Sequence, residues 1–279
     1  ALVGPEVVRT LYTAAKNLKI DVRTNTHAEQ ILTDKSGRVV GLKVKGKDGT
    51  YTIHSKAVVD AAGGFGANNE MVAKYVPRLK GFATTNHPGA TGDGLLLAEK
   101  IGAQLIQMDQ IQTHPTVVPN VGEMITEAVR GNGAILINKD GKRFFNESGT
   151  YENILHADEY QKGHCHYTLF DANWPEQTKQ FKMHGCSRVH PFENGADPNI
   201  LWSVFAEKML PGLIEKGFVV KADTIEELAR KLGLPEKTLK ATVERYNGYC
   251  ETGVDEEFGT SPWYLSPVKD GPFYITQNY

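Results

Sequence analysis

The chain has 279 residues, of which 40% are hydrophobic and 23% charged, and its formal net charge is −2. This composition predicts a globular, water-soluble protein of one large domain or two ordinary ones. The near-neutral charge argues against nucleic acid or an anionic membrane as the main partner, and no apolar run approaches the roughly 20 residues of a membrane-spanning helix.

The cysteines and the first residues give little information about the compartment. Cys165, Cys186 and Cys250 lie far apart without a CxxC pair, so they predict neither a disulfide framework nor a haem attachment site. The opening residues lack the basic start and apolar core of a signal peptide. Localisation, cytoplasmic or extracytoplasmic, stays open. Because the chain starts without Met and enters helical periodicity at once, we expect it to begin and end inside a longer protein.

The first predicted elements are a helix and a β-meander. Pro5 suits the first turn of a helix, and the apolar residues that follow it recur with helical spacing. Two short strands are predicted within 19–34 and a hairpin around Lys47-Asp48-Gly49. An apolar strand at 57–61 then ends at Gly63-Gly64. This order favours an α/β nucleotide-binding sheet.

Helices dominate the predicted elements from residue 67 onward. A hairpin at 134–147 is expected to turn at Asp140-Gly141. Thr224 and Glu227 have the spacing of a capping box, which marks the start of a helix. The remaining expected elements are helices at 67–76, 95–103, 200–217, 224–233 and 235–253, and an extended aromatic tail at 261–279.

The glycine-rich turn from Gly89 to Gly94 precedes the helix at 95–103. Glycines let a backbone approach a ligand closely, and the carboxylate of Asp93 can accept from a ligand N–H or hydroxyl. A turn that merely caps its helix through Asp93 explains the pattern equally well. Gly63-Gly64 carries the same ambiguity, and the chain contains neither a G-x-G-x-x-G motif nor a P-loop.

Polar residues also concentrate between 113 and 136, where His114, Thr126, Glu127 and Arg130 lie in one loop-rich stretch. Pro115 and Pro119 stiffen this stretch, and the spacing of Glu127 and Arg130 permits a carboxylate–guanidinium relay. The local alternatives are a helix cap at Thr126 and a surface ion pair between Glu127 and Arg130.

A metal site is the less favoured interpretation of the His- and Cys-rich segment. Its spacings fit no standard zinc pattern, so ordinary loop residues explain it better. The residues concerned are His164, Cys165, His166, His184, Cys186 and His190.

Taken together, these stretches resemble the flavoprotein fumarate reductase and succinate dehydrogenase family, in particular its soluble flavocytochrome c-type members. The resemblance rests on AAGGFGANNEMVAKYVP, TTNHPGATGDGLLLAEKIGA and QTHPT…MITEAVRGNGAILINKDGKRFFNE, which keep the family's order and spacing. It implies an α/β (α+β) fold: part of a two-dinucleotide-fold FAD-binding domain with an inserted α+β capping domain. The implied boundaries are 1–112 for the FAD-binding part, 113–252 for the capping domain and 253–279 for the return to the FAD-binding domain.

The resemblance implies FAD as cofactor and reduction of an activated C=C bond in a small enoate such as fumarate. His114 and Thr126 would hold a substrate carboxylate, and Glu127 and Arg130 would carry protons. The implied cofactor contacts are Gly63, Gly64, Thr91, Gly92, Asp93 and Gly94. The electron donor stays open among a cytochrome, a quinol-linked protein and reduced flavin.

Two positions depart from the family pattern. Tyr151 stands where the family carries an arginine that acts as the acid, so Tyr151 is the candidate proton donor and another enoate or a ring enone becomes a possible substrate. Ala62 replaces a usual threonine. A non-catalytic module that folds without flavin is the alternative from another class, and the chain alone is expected to be inactive.

Overall fold

A computed structural model of the chain describes residues 3–122, 129, 133–150, 153–154, 157, 160–174 and 210–278. These residues form two compact units, divided between Gln112 and Thr113. The tail after residue 252 belongs to the second unit. Which unit serves as flavin or capping domain in the whole protein stays a prediction.

The first unit combines an antiparallel meander with three helices. Strands β1 (His27–Thr33), β2 (Val39–Gly46) and β3 (Gly49–His54) pair in that order. The predicted turn at Lys47-Asp48 is confirmed, because Gly46 pairs with Gly49 across it. The helices are α1 (Val3–Asn17), α2 (Asn69–Tyr75) and α3 (Asp93–Glu99), with a short 3-10 turn at Pro77–Leu79.

The predicted strand at 57–61 is wrong, and only one strand, β1, forms within 19–34. Residues 57–61 are irregular and Val59 is 87% exposed. A strand needs a neighbour to pair its backbone groups. In the described part of the chain β3 pairs only with β2, so 57–61 has no adjacent strand.

The second unit is built on a four-stranded antiparallel sheet. Its order is β4 (Ile135–Ile137), β5 (His166–Asp171), β7 (Phe273–Asn278) and β6 (Val220–Ala222). Helices α4 (Leu210–Glu215), α5 (Ile225–Leu232) and α6 (Glu236–Thr252) and a 3-10 turn at Pro262–Tyr264 complete its described elements. The predicted turn at Asp140-Gly141 is confirmed, although its return is a single bridge between Ile137 and Arg143.

Two of the predicted helices are confirmed by their ends. Thr224 caps α5 by accepting a hydrogen bond from the Glu227 N–H, and the Glu227 carboxylate accepts from the N–H of Asp223, one residue before the cap. α6 begins after Pro235 and ends at Gly253 in the left-handed region. Of the predicted helix at 200–217, residues 200–209 lie outside the described residues.

A buried ion cluster ties the residues that follow the turn at Asp140-Gly141 to the chain after α6. Arg143 donates to both carboxylate oxygens of Glu147 and of Asp255 and to the hydroxyl of Thr260. Its guanidinium lies 4.8 Å from the ring centroid of Tyr246 and 5.1 Å from that of Phe258. Burial alone would lower the pKa of Arg143, but the two carboxylates raise it above its ordinary value. We name these residues the Arg143 cluster.

None of the helices in the described ranges combines the length and the hydrophobicity that a bilayer crossing requires.

Candidate functional site

In the first unit, the glycine-rich turn lies against the two glycines at 63–64. The N–H of Gly92 donates to the carbonyl of Gly64 at 3.1 Å, and the N–H of Ala67 donates to Ala90. The Asn68 side chain, which also caps α2, donates to the carbonyl of Thr91 at 2.9 Å. The structure therefore brings together the segments that hold all six predicted cofactor residues, while the cofactor role itself stays a prediction.

Gly92 occupies a position that other residues fit poorly. Its φ is +78°, and a Cβ there would lie 2.8 Å from both Phe65 Cβ and Met71 Sδ. Gly92 is also the cap residue of α3, and no side chain bonds to that cap. Asp93, the first helical residue, instead accepts a hydrogen bond from the Thr91 hydroxyl at 2.9 Å. The helix therefore begins at a glycine with a left-handed backbone, and the Asp93 carboxylate does not act as its cap.

Gly94 is held against an acidic residue that the sequence analysis did not select. A Cβ on Gly94 would collide with the carboxylate of Asp60, which accepts from the N–H of Ala62 at 3.0 Å. The signal was present in the sequence: Asp60 is a carboxylate inside the apolar run 57–61. The interpretation of that run as a buried strand gives no reason to expect a ligand contact from its acid.

Asp60, Asp93 and Gly94 are among the residues that line a cavity of about 370 Å³. This volume lies within the range of roughly 300–1,000 Å³ typical of small-molecule pockets. Carboxylates accept hydrogen bonds from hydroxyl and amino groups and repel phosphates, so the cavity suits an uncharged part of a nucleotide. The other lining residues are Thr26, His27, Ala28, Ile31, Leu42, Val58, Val59, Ala61, Ala62 and Leu97.

In the second unit, His114 begins a segment that is anchored in the core. His114 is half-buried, and the residues from Pro115 to Val118 are buried. Val118 packs in an apolar cluster with Phe170 and Trp174. His114 Nδ1 lies 3.0 Å from the hydroxyl of Thr116. The predicted substrate residue is therefore placed on a fixed piece of backbone.

The other predicted substrate and catalytic residues lie outside the described residues. These are Thr126, Glu127, Arg130 and Tyr151. Their roles stay predictions from the sequence.

The described members of the His- and Cys-rich segment have structural contacts. The thiol of Cys165 accepts from the Gln277 side chain at 3.3 Å, and the buried His166 ring lies 6.0 Å from the Phe144 ring. Within the ranges that the structure covers, no group of three or more His, Cys, Asp or Glu could hold a metal ion. His184, Cys186 and His190 lie outside those ranges.

A comparison with models of protein families shows the family to which the chain belongs. A family model described as "FAD binding domain" matches residues 1–277. The chain belongs to this FAD binding domain family. The mixed α/β structure, together with this family membership, confirms the predicted fold class. The expected resemblance to fumarate reductase flavoproteins is confirmed by similarity to individual proteins of that kind.

One of these proteins is the fumarate reductase (cytochrome) of Shewanella frigidimarina, 39% identical over 276 residues, which are 99% of this chain and 43% of that protein. The urocanate reductase of Eggerthella lenta is 37% identical over 265 residues, 93% of this chain and 40% of that protein. The structure of the open conformation of a flavocytochrome c3 fumarate reductase aligns with a TM-score of 0.70 at 35% identity, covering 99% of this chain and 44% of that one. The chain thus spans less than half the length of these relatives.

The first unit of this FAD binding domain fits the cofactor that the family name implies. The close approach at Gly92 and Gly94 leaves no room for side chains, and the cavity offers apolar walls beside two hydrogen-bond acceptors. Such a surface suits the nucleoside or the polyol portion of FAD.

Proposed function

We propose that this chain is part of an FAD-dependent oxidoreductase that reduces the activated C=C bond of a small enoate. The observation that carries the proposal is the match of residues 1–277 to the FAD binding domain family, joined to 39% identity with a fumarate reductase over nearly the whole chain. The convergence of Gly63, Gly64 and the turn 91–94 beside an acceptor-lined cavity supports the cofactor assignment.

When bound and reduced by an external electron donor, the flavin would supply a hydride to one alkene carbon. The chain's own residues then have three tasks: they hold the substrate carboxylate, stabilise the charge that builds up on it, and deliver a proton to the other carbon. His114 and Thr126 hold the carboxylate. Glu127 and Arg130 pass protons inward, and Tyr151 donates the proton.

The substrate is the least determined part of this proposal. Tyr151 has a hydroxyl that can donate a proton, but it cannot bind a carboxylate through two parallel hydrogen bonds as an arginine does. An enoate with a single carboxylate therefore fits better than fumarate, which has two. The similarity to a urocanate reductase agrees with an enoate that carries an aromatic ring.

Flavin binding is tested first, on the chain itself. We expect added FAD to bind, with a change in flavin fluorescence, and Asp93→Asn to weaken that binding. Asp109→Asn is the matched control, because Asp109 belongs to the same unit and does not line the cavity. A chain that leaves FAD fluorescence unchanged supports the alternative of a module that folds without flavin.

Catalysis is tested in the full-length protein with a reduced dye as electron donor and a panel of enoates. We expect Tyr151→Phe to abolish reduction and Glu127→Gln to lower turnover by roughly 10²–10⁴-fold, the usual contribution of a proton-transfer group. Flavin content should stay unchanged in both variants. Full activity in Tyr151→Phe would place the proton donor elsewhere.

A further inference from the structure

The hydroxyl and the backbone N–H of Thr116 converge on one ring nitrogen of His114. The Thr116 hydroxyl lies 3.0 Å from His114 Nδ1, and the Thr116 backbone N–H donates to the same atom at 3.4 Å. Pro115 joins the two residues and restricts the backbone between them, because its ring fixes φ. The contact is therefore built into the local chain geometry.

The backbone amide decides which way these hydrogen bonds run. A hydroxyl can donate or accept, but an amide N–H can only donate, so Nδ1 must offer its lone pair to it. The hydroxyl can then donate to the same nitrogen. In a neutral imidazole one nitrogen carries the hydrogen and the other the lone pair. With the lone pair at Nδ1, the hydrogen is at Nε2.

We propose that Thr116 is a positioning residue that holds His114 in the tautomer with hydrogen at Nε2, so that this N–H serves as the donor to a substrate carboxylate. The identity of the acceptor rests on the proposed function, whereas the tautomer does not.

Thr116 is suited to this role because it is fixed in the core. Its exposed fraction is 3%, and Val118, two residues on, packs with Phe170 and Trp174. A hydroxyl on a mobile surface loop would exchange its partner with water. A buried one keeps its hydrogen bond, because a buried polar group without a partner costs free energy.

The tautomer matters for recognition because a carboxylate only accepts hydrogen bonds. An Nε2–H gives it a charge-assisted hydrogen bond, whereas a lone pair at Nε2 would repel it. If His114 already has this tautomer before the substrate binds, no free energy of binding is lost in changing the tautomer.

The tautomer is measured by ¹⁵N NMR on the chain with labelled histidines, under conditions in which the imidazoles are neutral. The chain has nine histidines, so the His114 signals are assigned by their loss in His114→Gln. We expect the hydrogen at Nε2 and the lone pair at Nδ1. A hydrogen at Nδ1 in the unaltered chain overturns the proposal, and this measurement needs no variant of Thr116.

Two substitutions of Thr116 distinguish the effect of its hydroxyl from the effect of its side-chain volume. Thr116→Val removes the hydroxyl and keeps the volume, and we expect it to give a mixture of tautomers. Thr116→Ser keeps the hydroxyl and should restore the single Nε2–H form. Thr113→Val is the matched control, because it removes a nearby hydroxyl of the same loop. Unchanged His114 signals in a folded Thr116→Val overturn the proposal.

Binding of urocanate, an enoate with one carboxylate and an aromatic ring, is followed by the same NMR signals and connects the tautomer to recognition. We expect Thr116→Val to weaken urocanate affinity roughly twofold, because only the fraction of molecules with the Nε2–H tautomer binds, and Thr116→Ser to restore it. If the unaltered chain shows the Nε2–H tautomer but does not bind urocanate, the tautomer assignment stands and the proposed function does not.

Discussion

In the second unit, two buried apolar clusters accompany the four-stranded sheet, whereas the described residues of the first unit bury one small cluster around α2. The first unit also leaves several large apolar side chains exposed, among them Val8 and Leu11 at 65% each and Leu18 at 73%. Burial therefore decides the stability of the second unit. In the first unit, we expect burial to contribute less, and the backbone geometry of the glycine turn to be a local source of stability.

Fluorescence can follow the two units separately. All three tryptophans, Trp174, Trp202 and Trp263, belong to the second unit. Tryptophan fluorescence during denaturant unfolding thus reports on the second unit, and amide hydrogen exchange reports on the first.

The largest effect is expected from the Arg143 cluster. Arg143→Met leaves Glu147 and Asp255 buried without their counter-cation, which should lower the free energy of unfolding of the second unit by about 3–5 kcal/mol. Lys162→Met, which removes an exposed ion pair with Asp140, is the control and should cost at most about 1 kcal/mol. Equal losses in the two variants would show that burial does not strengthen this cluster.

A core substitution tests the comparison directly. Leu228 of α5 is fully buried, so Leu228→Ala should cost about 3 kcal/mol through lost contacts and the cavity left behind. Leu11→Ala in α1 makes the same chemical change at a residue that is 65% exposed and should alter stability by less than about 0.5 kcal/mol. Denaturant unfolding measures the first variant and hydrogen exchange the second. A large loss in Leu11→Ala would contradict the contrast between the units.

Gly92→Ala tests whether backbone geometry governs the glycine turn. The substitution combines a positive φ with a Cβ 2.8 Å from Phe65 Cβ, and we expect it to destabilise α3 by about 2 kcal/mol and to weaken FAD binding. Gly37→Ala is the control: its φ is +84°, but an added Cβ meets no atom within 4 Å. Its cost should be about 1 kcal/mol, with FAD affinity unchanged. Similar exchange rates at α3 in both variants would rule out the close approach as the cause.

Local features of this fold were predictable from the sequence, because a few neighbouring residues specify them. The turn at Lys47-Asp48, the cap formed by Thr224 and the start of α6 after Pro235 depend on residues no more than three positions apart. The family motifs likewise led to the glycines that converge beside the cavity.

Features that depend on distant residues were not predictable in this way. Strand β7 inserts between β5 and β6, Arg143 pairs with Asp255 at a separation of 112 residues, and Asp60 lies against Gly94. No local periodicity encodes such contacts. The error at 57–61 has the same origin, since an apolar run becomes a strand only beside another strand. The tautomer of His114 depends on hydrogen-bond geometry that residue types alone do not give.

The smallest expected effect is a pH dependence at Asp255. Burial alone would raise the pKa of this carboxyl, but hydrogen bonds from Arg143 and Thr260 outweigh it and hold the pKa well below its ordinary value. A lowered pKa in the folded state contributes stability above the unfolded-state pKa of about 3.9, and this contribution is lost as the pH falls.

We therefore compare unaltered protein with Asp255→Asn by denaturant unfolding between pH 7 and pH 3. The variant cannot titrate at this position, so the difference between the two free energies isolates Asp255 from the other carboxylates. That difference should shrink by roughly 0.4 kcal/mol on going from pH 7 to pH 4, and by about 1 kcal/mol more by pH 3. A difference that stays constant to pH 3 would mean that Asp255 has the same pKa in the folded and unfolded states. The charge of Arg143 would then not lower the pKa of Asp255.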